Sequence, residues 1–300
     1  MITLIQGEKK RFDIQGQSIK GLQFDTISIK STSAADAFAN LGAVDVSIVL
    51  YQGGTETTLC SGSLLPLVMA SGFKNGHFLS AQGVAGLTTL VPTAGSMATL
   101  QPTSIDFGGV INLRGNDKMT VEVRCNTGFC TANQNAGSSN MTVSAVEGIG
   151  LQWVTPKIQY QTIGNGESNF RQNIGDNVVS IHYINTSITT DTATAQPITN
   201  IRLFSDRYNV NDSNNQLISK RGAQFETTGD SGLRKSSFEI LDREVDDCRV
   251  ELDLNPNNVA TGVNYVVWRT FSTGLGQVKR AKKSRSKHQA KAMGKVSRNR

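Results

Sequence analysis

The sequence predicts an all-β protein: two tandem eight-stranded jelly-roll sandwiches with a few short helices, followed by a basic C-terminal tail. Three observations carry this. Apolar residues make up only 38% of the 300 and glycines number 29, a profile of short strands and many turns. Segments of period-two alternation recur, punctuated by polar clusters such as "GNGES", "NVNDSNN" and "TTGDSG". Two pairs of segments match each other at one spacing of 129 residues, which is the size of a whole domain.

The elements follow in chain order. "SIKGLQFDTISIK" alternates imperfectly through Ile19, Leu22, Phe24, Ile27 and Ile29. "SAADAFANLG", after Ser33, reads as a short helix. "AVDVSIVLYQGG" puts Val44, Val46, Ile48 and Leu50 on one face and ends in a Gly-Gly turn. "SLLPLVMASGF", from Ser63, is apolar all round, with Pro66 early, where a helix tolerates it; it reads as a core-plugging helix or as a strand. "KMTVEVRC" sets Met119, Val121 and Val123 against Thr120, Glu122 and Arg124. "VVSIHYI" and "ITNIRLF" repeat the pattern, and "CRVELDLNPN" carries it through Val250, Leu252 and Leu254 to a stop at Asn-Pro. Alternation with one wet face marks antiparallel sheets packed as a sandwich. About eight strands per half fits a jelly roll; an immunoglobulin-like sandwich of about seven strands fits a somewhat shorter repeat. The expected division is 1–148 for the first roll with an N-terminal arm, 149–274 for the second and 275–300 for the tail.

The matched segments point to a duplication. "GLQFDTISI" (21–29) meets "GLQWVTPKI" (150–158) at five identical positions, with Phe24 against Trp153. At the same spacing, "INLRGNDKMTVEVRCN" (111–126) meets "ILDREVDDCRVELDLN" (240–255) at six: Ile111, Arg114, Asp117, Val121, Glu122 and Asn126 against Ile240, Arg243, Asp246, Val250, Glu251 and Asn255.

Charge is unevenly placed. The net charge is +6, yet residues 279–300 hold ten of the 30 Lys and Arg and no acid. The remainder has 20 basic against 24 acidic residues, near −4, so the body lacks the basic character of a duplex-binding domain. In the tail, Lys279, Lys283, Lys287, Lys291 and Lys295 recur every four residues, one stripe of a helix, and Arg280, Lys282, Arg285, Arg298 and Arg300 widen the charge. Ala281, Ala290, Ala292, Met293 and Val296 are too few for insertion into a bilayer, but the charge density suits an anionic surface, either lipid headgroups or packaged nucleic acid. A solvated tail that only aids solubility is the plain alternative.

Catalytic chemistry finds little support. Only three histidines occur, His77, His182 and His288, too few and too scattered for a cupin-type metal site. No metal or cofactor is expected, and no enzyme. Asp242, Glu244, Asp246 and Asp247 could bind calcium but read better as a polar turn. Cys60, Cys125, Cys130 and Cys248 read as buried thiols, with a Cys125–Cys130 loop disulfide left open. The opening "MITLIQGEKKRF" lacks a signal peptide's apolar core, which predicts a cytosolic origin.

The paired "GLQF"/"GLQW" openings, the paired "VEV"/"VEL" late strands and the strand-hairpin-helix segment "LYQGGTETTLCSGSLLPLVMASGF" resemble a known family over residues 15–272. It is the double jelly-roll major capsid proteins of icosahedral, internal-membrane-containing bacteriophages, of the corticovirus, tectivirus and lipid-containing Flavobacterium phage type. The resemblance implies a structural subunit of the virion shell, made in a host bacterial cytoplasm. It implies homotrimers of pseudo-hexagonal outline that tile with neighbouring trimers, and strands that stand across the shell. It also implies loops facing out and termini facing an internal membrane. Its partners would be further copies, a vertex (penton) protein, minor capsid proteins, and lipid or genome through the tail. The competing expectations are a two-domain carbohydrate-binding or adhesin-like (spike-like) sandwich and a glycan-processing enzyme. The second would need two carboxylates in an aromatic-lined cleft, where this chain has Trp153 and Trp268 in apolar strand patterns.

Overall fold

The computed structural model describes residues 1–32, 40–74, 97–99, 103–150, 155–185, 198–207, 209–213, 238–241, 244–259 and 263–272. Among these residues seventeen strands run in chain order: β1 (Ile2–Ile5), β2 (Lys9–Gln15), β3 (Ser18–Ile29), β4 (Val44–Gln52), β5 (Thr55–Ser63), β6 (Met97–Thr99), β7 (Thr103–Asn112), β8 (Lys118–Cys125), β9 (Asn140–Glu147), β10 (Thr155–Ile163), β11 (Asn169–Gly175), β12 (Val178–Asn185), β13 (Ile198–Phe204), β14 (Asn209–Ser213), β15 (Phe238–Leu241), β16 (Cys248–Leu254) and β17 (Asn264–Ser272). Helix α1 (Leu64–Lys74) follows β5, and the short α2 (Pro256–Val259) follows β16.

The strands form four antiparallel sheets. In the first half they are β1-β9-β3 with β6 and β7 beyond β3, and β2-β8-β4-β5; in the second, β10-β17-β12-β15 and β11-β16-β13-β14. Numbering each half from its own first strand, with β6 and β7 counted as two pieces of one strand because both pair along the same edge of β3, one sheet is ordered first, eighth, third, sixth and the other second, seventh, fourth, fifth. That is the jelly-roll order, with two interleaved Greek keys, and it occurs twice. It decides against the seven-stranded immunoglobulin-like arrangement.

Local chemistry explains the strands. On β8 the side chains of Met119, Val121 and Val123 are fully buried while Arg124 is exposed, as alternation requires. The imperfect alternation of β3 comes from a bulge between Ile19 and Gly21, which resets the inward set to Leu22 and Phe24. Gly21 is needed there because a Cβ would lie 2.4 Å from the Ile105 carbonyl oxygen of β7. The predicted helix after Ser63 is α1, and both of its sides are buried. Most of the predicted helix after Ser33 lies outside the described residues; its end is a 3-10 turn at Leu41–Ala43, capped by the Asn40 side chain.

Of the two matched segment pairs, one joins equivalent strands. Val121-Glu122 on β8 and Val250-Glu251 on β16 occupy the seventh strand of each roll, with Val121 and Val250 both at 0% exposure. The "GLQ" pair does not. Residues 21–29 lie in β3, the third strand, whereas Thr155 to Ile158 open β10, the first strand of its roll. Equivalent strands keep no fixed spacing: their starts lie 160 residues apart at Ser18 and Val178, 130 at Lys118 and Cys248, and 124 at Asn140 and Asn264. The stretch between β5 and β7 that includes α1 is the main source of that drift.

Candidate assembly surfaces

The two rolls share one body. The first core, built on Phe24, Ile48, Phe107 and Val121, continues through α1 into Ile158, Ile184, Tyr265 and Val267 of the second half. Those four project from the side of the β10-β17-β12 sheet that faces away from the second roll's own core, where Val178, Ile181, Val266 and Trp268 pack instead. The first roll meets that outer face with β5, α1 and β7.

Polar contacts pin this junction. The Ser63 N–H donates to the Tyr160 hydroxyl at 2.6 Å. Tyr160 stacks edge-on against Tyr265, with centroids 5.6 Å apart. Gly62 has φ +124°, and a Cβ there would fall 2.3 Å from the Tyr160 hydroxyl and 2.9 Å from Cζ. Arg269 on β17 is 4% exposed and donates through Nη2 to the Asp106 carbonyl of β7. The Asp106 N–H in turn donates to Ser71 Oγ of α1 at 3.1 Å. Burial pushes the Arg269 guanidinium below its ordinary pKa, and burial raises the Tyr265 hydroxyl. His182, 3% exposed, lies on the same face with Nε2 3.8 Å from Glu239 Oε1.

Strand direction fixes which ends lie together. In the first roll one end carries Met1, the short turns at 16–17, 53–54 and 113–117, and the last residues of β9; the other carries the turns 6–8 and 126–139 and the strand ends Ile29, Val44, Ser63 and Thr103. The residues 148–154 lead from the short-turn end of the first roll to Thr155, which pairs with Ser272 at the corresponding end of the second. The contacts Ser63–Tyr160 and Asp106–Arg269 advance in the same direction along both rolls. Met1, Gly150, Thr155 and Ser272, the last described residue before the basic tail, thus share one end of the molecule.

The outer faces of the remaining sheets carry mixed charge. Lys9 pairs with Glu122 at 2.8 Å and Thr120 donates to Asp13 at 2.6 Å. Arg202 bridges Glu251 at 3.2 Å and Asp253 at 2.6 Å, with Arg249 also on Glu251. Lys118 sits over the Tyr51 ring and Arg249 over Phe204, at 5.0 and 5.5 Å.

The ten tail residues, Lys279 through Arg300, lie outside the described residues, as do His77, His288, Trp153 and Asp242. Asp246 and Asp247 stand in a turn before β16, the predicted alternative to a calcium site. Asp246 Oδ1 accepts from the Asn177 N–H at 2.9 Å, and Asp206 Oδ1 accepts from the Asp246 N–H at 2.9 Å. The four cysteines are free and buried, and burial pushes Cys60, Cys125 and Cys248 up to about 12. Trp268 belongs to the second core and donates to Gln159 Oε1 at 3.3 Å. Tyr160, Gly62 and Arg269 escaped sequence reasoning. The one available signal was Gly62 between polar residues late in a strand pattern, where glycine often marks a close approach.

No family model matches the chain. No curated protein matches it. Solved structures do. The STIV MCP, a major capsid protein, superposes with a TM-score of 0.56 at 13% identity, over 90% of this chain and 93% of that one. A chain from the atomic structure of Sulfolobus Turreted Icosahedral Virus gives 0.57 at 13% identity, over 90% and 88%. The major capsid protein P2 from Bacteriophage PM2 gives 0.42 at 10% identity, over 89% and 93%, too loose a fit to carry weight. By its own strand order the chain is a double jelly roll, and it shares that fold with the STIV MCP along nearly the whole of both chains.

Proposed function

We propose that the protein is a major capsid protein, a structural subunit that trimerises into pseudo-hexameric capsomers and tiles an icosahedral shell. The observation that carries this reading is the fusion of two equivalent jelly rolls through one continuous core, with their strands aligned in the same direction. Such a body has two similar faces to offer, so three copies can mimic a six-membered ring without any hinge between the rolls. The likeness to the STIV MCP supports the same reading.

The polarity of the molecule supports an orientation. Ser272 and Met1 share the end with short turns, the end expected to face inward; the opposite end would then face out. Ten basic residues at the inner surface would meet an anionic layer, an internal membrane or the packaged genome, at about 1 kcal/mol each near anionic lipid before screening. The vertex protein and minor capsid proteins are the remaining partners of this reading, and synthesis in a bacterial host precedes assembly.

Among the described residues Trp268 is a core side chain rather than an exposed sugar platform, which weighs against the carbohydrate-binding alternative. Negative-stain microscopy of the purified protein tests the proposal. Six-sided capsomers or closed shells are expected, and a dispersed monomer that binds glycans would overturn it.

A further inference from the structure

The interior of the first roll turns polar at one end. On β3, Leu22 and Phe24 face the core, and the same alternation carries Thr26, Ser28 and Lys30 inward after them. Thr26 and Ser28 are 0% exposed and Lys30 only 2%. The turn between β8 and β9 closes over Lys30, which bridges to Gln134. Beside it the Ser31 N–H donates to the Asn133 carbonyl and the Asn135 N–H to the Ile29 carbonyl, both at 2.8 Å. Ser139, also fully buried, has its hydroxyl engaged by Ile29, accepting from the N–H at 2.9 Å and donating to the carbonyl at 3.3 Å.

Two side chains on this inward face have no partner. Among the described residues nothing accepts from Lys30 Nζ, by hydrogen bond or ion pair, and nothing meets Thr26 Oγ1. The second roll shows the same strand position completed from within. There Tyr183 on β12, 0% exposed, donates its hydroxyl to Asn264 Oδ1 at 2.6 Å.

We propose that this end of the first roll is a binding site for one small inorganic oxyanion of the phosphate or sulfate kind, held by Lys30. The chemistry of the orphaned groups selects the ligand. An ammonium carries three donors and no acceptor, and a threonine hydroxyl adds one more donor. Burying such a charge is strongly unfavourable unless acceptors and a counter-charge replace the lost water. A buried water supplies acceptors without charge, whereas an oxyanion supplies both in charge-assisted bonds. The way in is short, because Ser31 and Thr32, next along the chain, are exposed. Bound there, the ion ties the end of β3 to the 126–139 turn and adds its binding energy to the stability of the roll. The inference stands on the first roll alone and is independent of the capsid reading.

Thermal unfolding of the full chain in a zwitterionic buffer, with and without sodium phosphate, tests it. Lys30→Met keeps the unbranched stem and removes the charge. The basic tail and the general stabilising effect of phosphate are common to both chains and cancel in the comparison. At phosphate about a hundred times above Kd, the parent is expected to gain about 4 °C more in Tm than Lys30→Met. Equal gains would overturn the proposal and leave the site to water. Where circular dichroism shows that Lys30→Met does not fold, crystals of the unsubstituted chain grown in selenate decide. An anomalous peak within hydrogen-bonding distance of Lys30 Nζ is expected, and a site without one overturns the proposal. Either result leaves the capsid reading as it stands.

Discussion

Gly62→Ala is the sharpest probe of the junction between the rolls. The added Cβ would sit 2.3 Å from the Tyr160 hydroxyl, 2.9 Å from Cζ and 3.0 Å from Cε1, so the ring as a whole must move. Moving it breaks the 2.6 Å bond from the Ser63 N–H and the edge-on stack against Tyr265. Loss of an acceptor for a part-buried donor costs about 1–3 kcal/mol. An L-residue at φ +124° adds about 1–3 kcal/mol of backbone strain. The expected destabilisation is therefore about 2–6 kcal/mol, a fall in Tm of about 3–10 °C for a chain of this size. Chemical denaturation of Gly62→Ala, Tyr160→Ala and the double variant measures it. In the Tyr160→Ala background only the backbone strain remains, so Gly62→Ala should cost at least about 1 kcal/mol less there. A cost below about 0.5 kcal/mol in the parent, or the same cost in both backgrounds, would refute the account of the junction.

Three further outcomes follow from the same geometry. All four thiols should resist alkylation at neutral pH until the protein unfolds, because burial holds Cys60, Cys125 and Cys248 near 12; mass spectrometry after timed iodoacetamide exposure reads this. Glu251, held below its ordinary value of 4.5 first by Arg249, should contribute stability that is fully present above about pH 4.5 and lost as the pH falls through its depressed folded value. Glu251→Gln should accordingly be less stable than the parent at pH 7, with the difference shrinking below pH 4.5 in denaturation series. Deleting residues 279–300 should leave folded assembled subunits but impair formation of filled particles; normal particles by electron microscopy would count against an inward-acting tail.

How much of this was legible depends on how local each feature is. The limits of β8 and β13 could be read to the residue, because alternation with one wet face is a property of the segment itself. The equivalence of β8 and β16 was legible for the same reason: Val121-Glu122 and Val250-Glu251 keep both an inward valine and an outward, charge-paired glutamate. The "GLQ" match misled. Gly21 is fixed by the approach of β7, whereas Gly150 lies in the connection between the rolls with φ +151°, so one letter serves two unrelated constraints. A fixed spacing also cannot survive connections of unequal length.

The junction was hidden because it joins residues far apart in the chain. Tyr160 looks like any strand tyrosine until Ser63, 97 residues earlier, is brought to its hydroxyl. Arg269 reads as the polar position of an alternating strand. Its burial arises only because the side of β17 that carries Tyr265, Val267 and Arg269 is covered by the other roll. Alternation reveals that a strand has two faces but not that a second domain will cover the outer one.

Native mass spectrometry of the purified chain at assembly concentration tests the central claim most directly. Three chains of 32.3 kDa predict a species of about 97 kDa, or closed shells built from it. A 32.3 kDa monomer at every concentration, or an isologous dimer near 65 kDa, would contradict it.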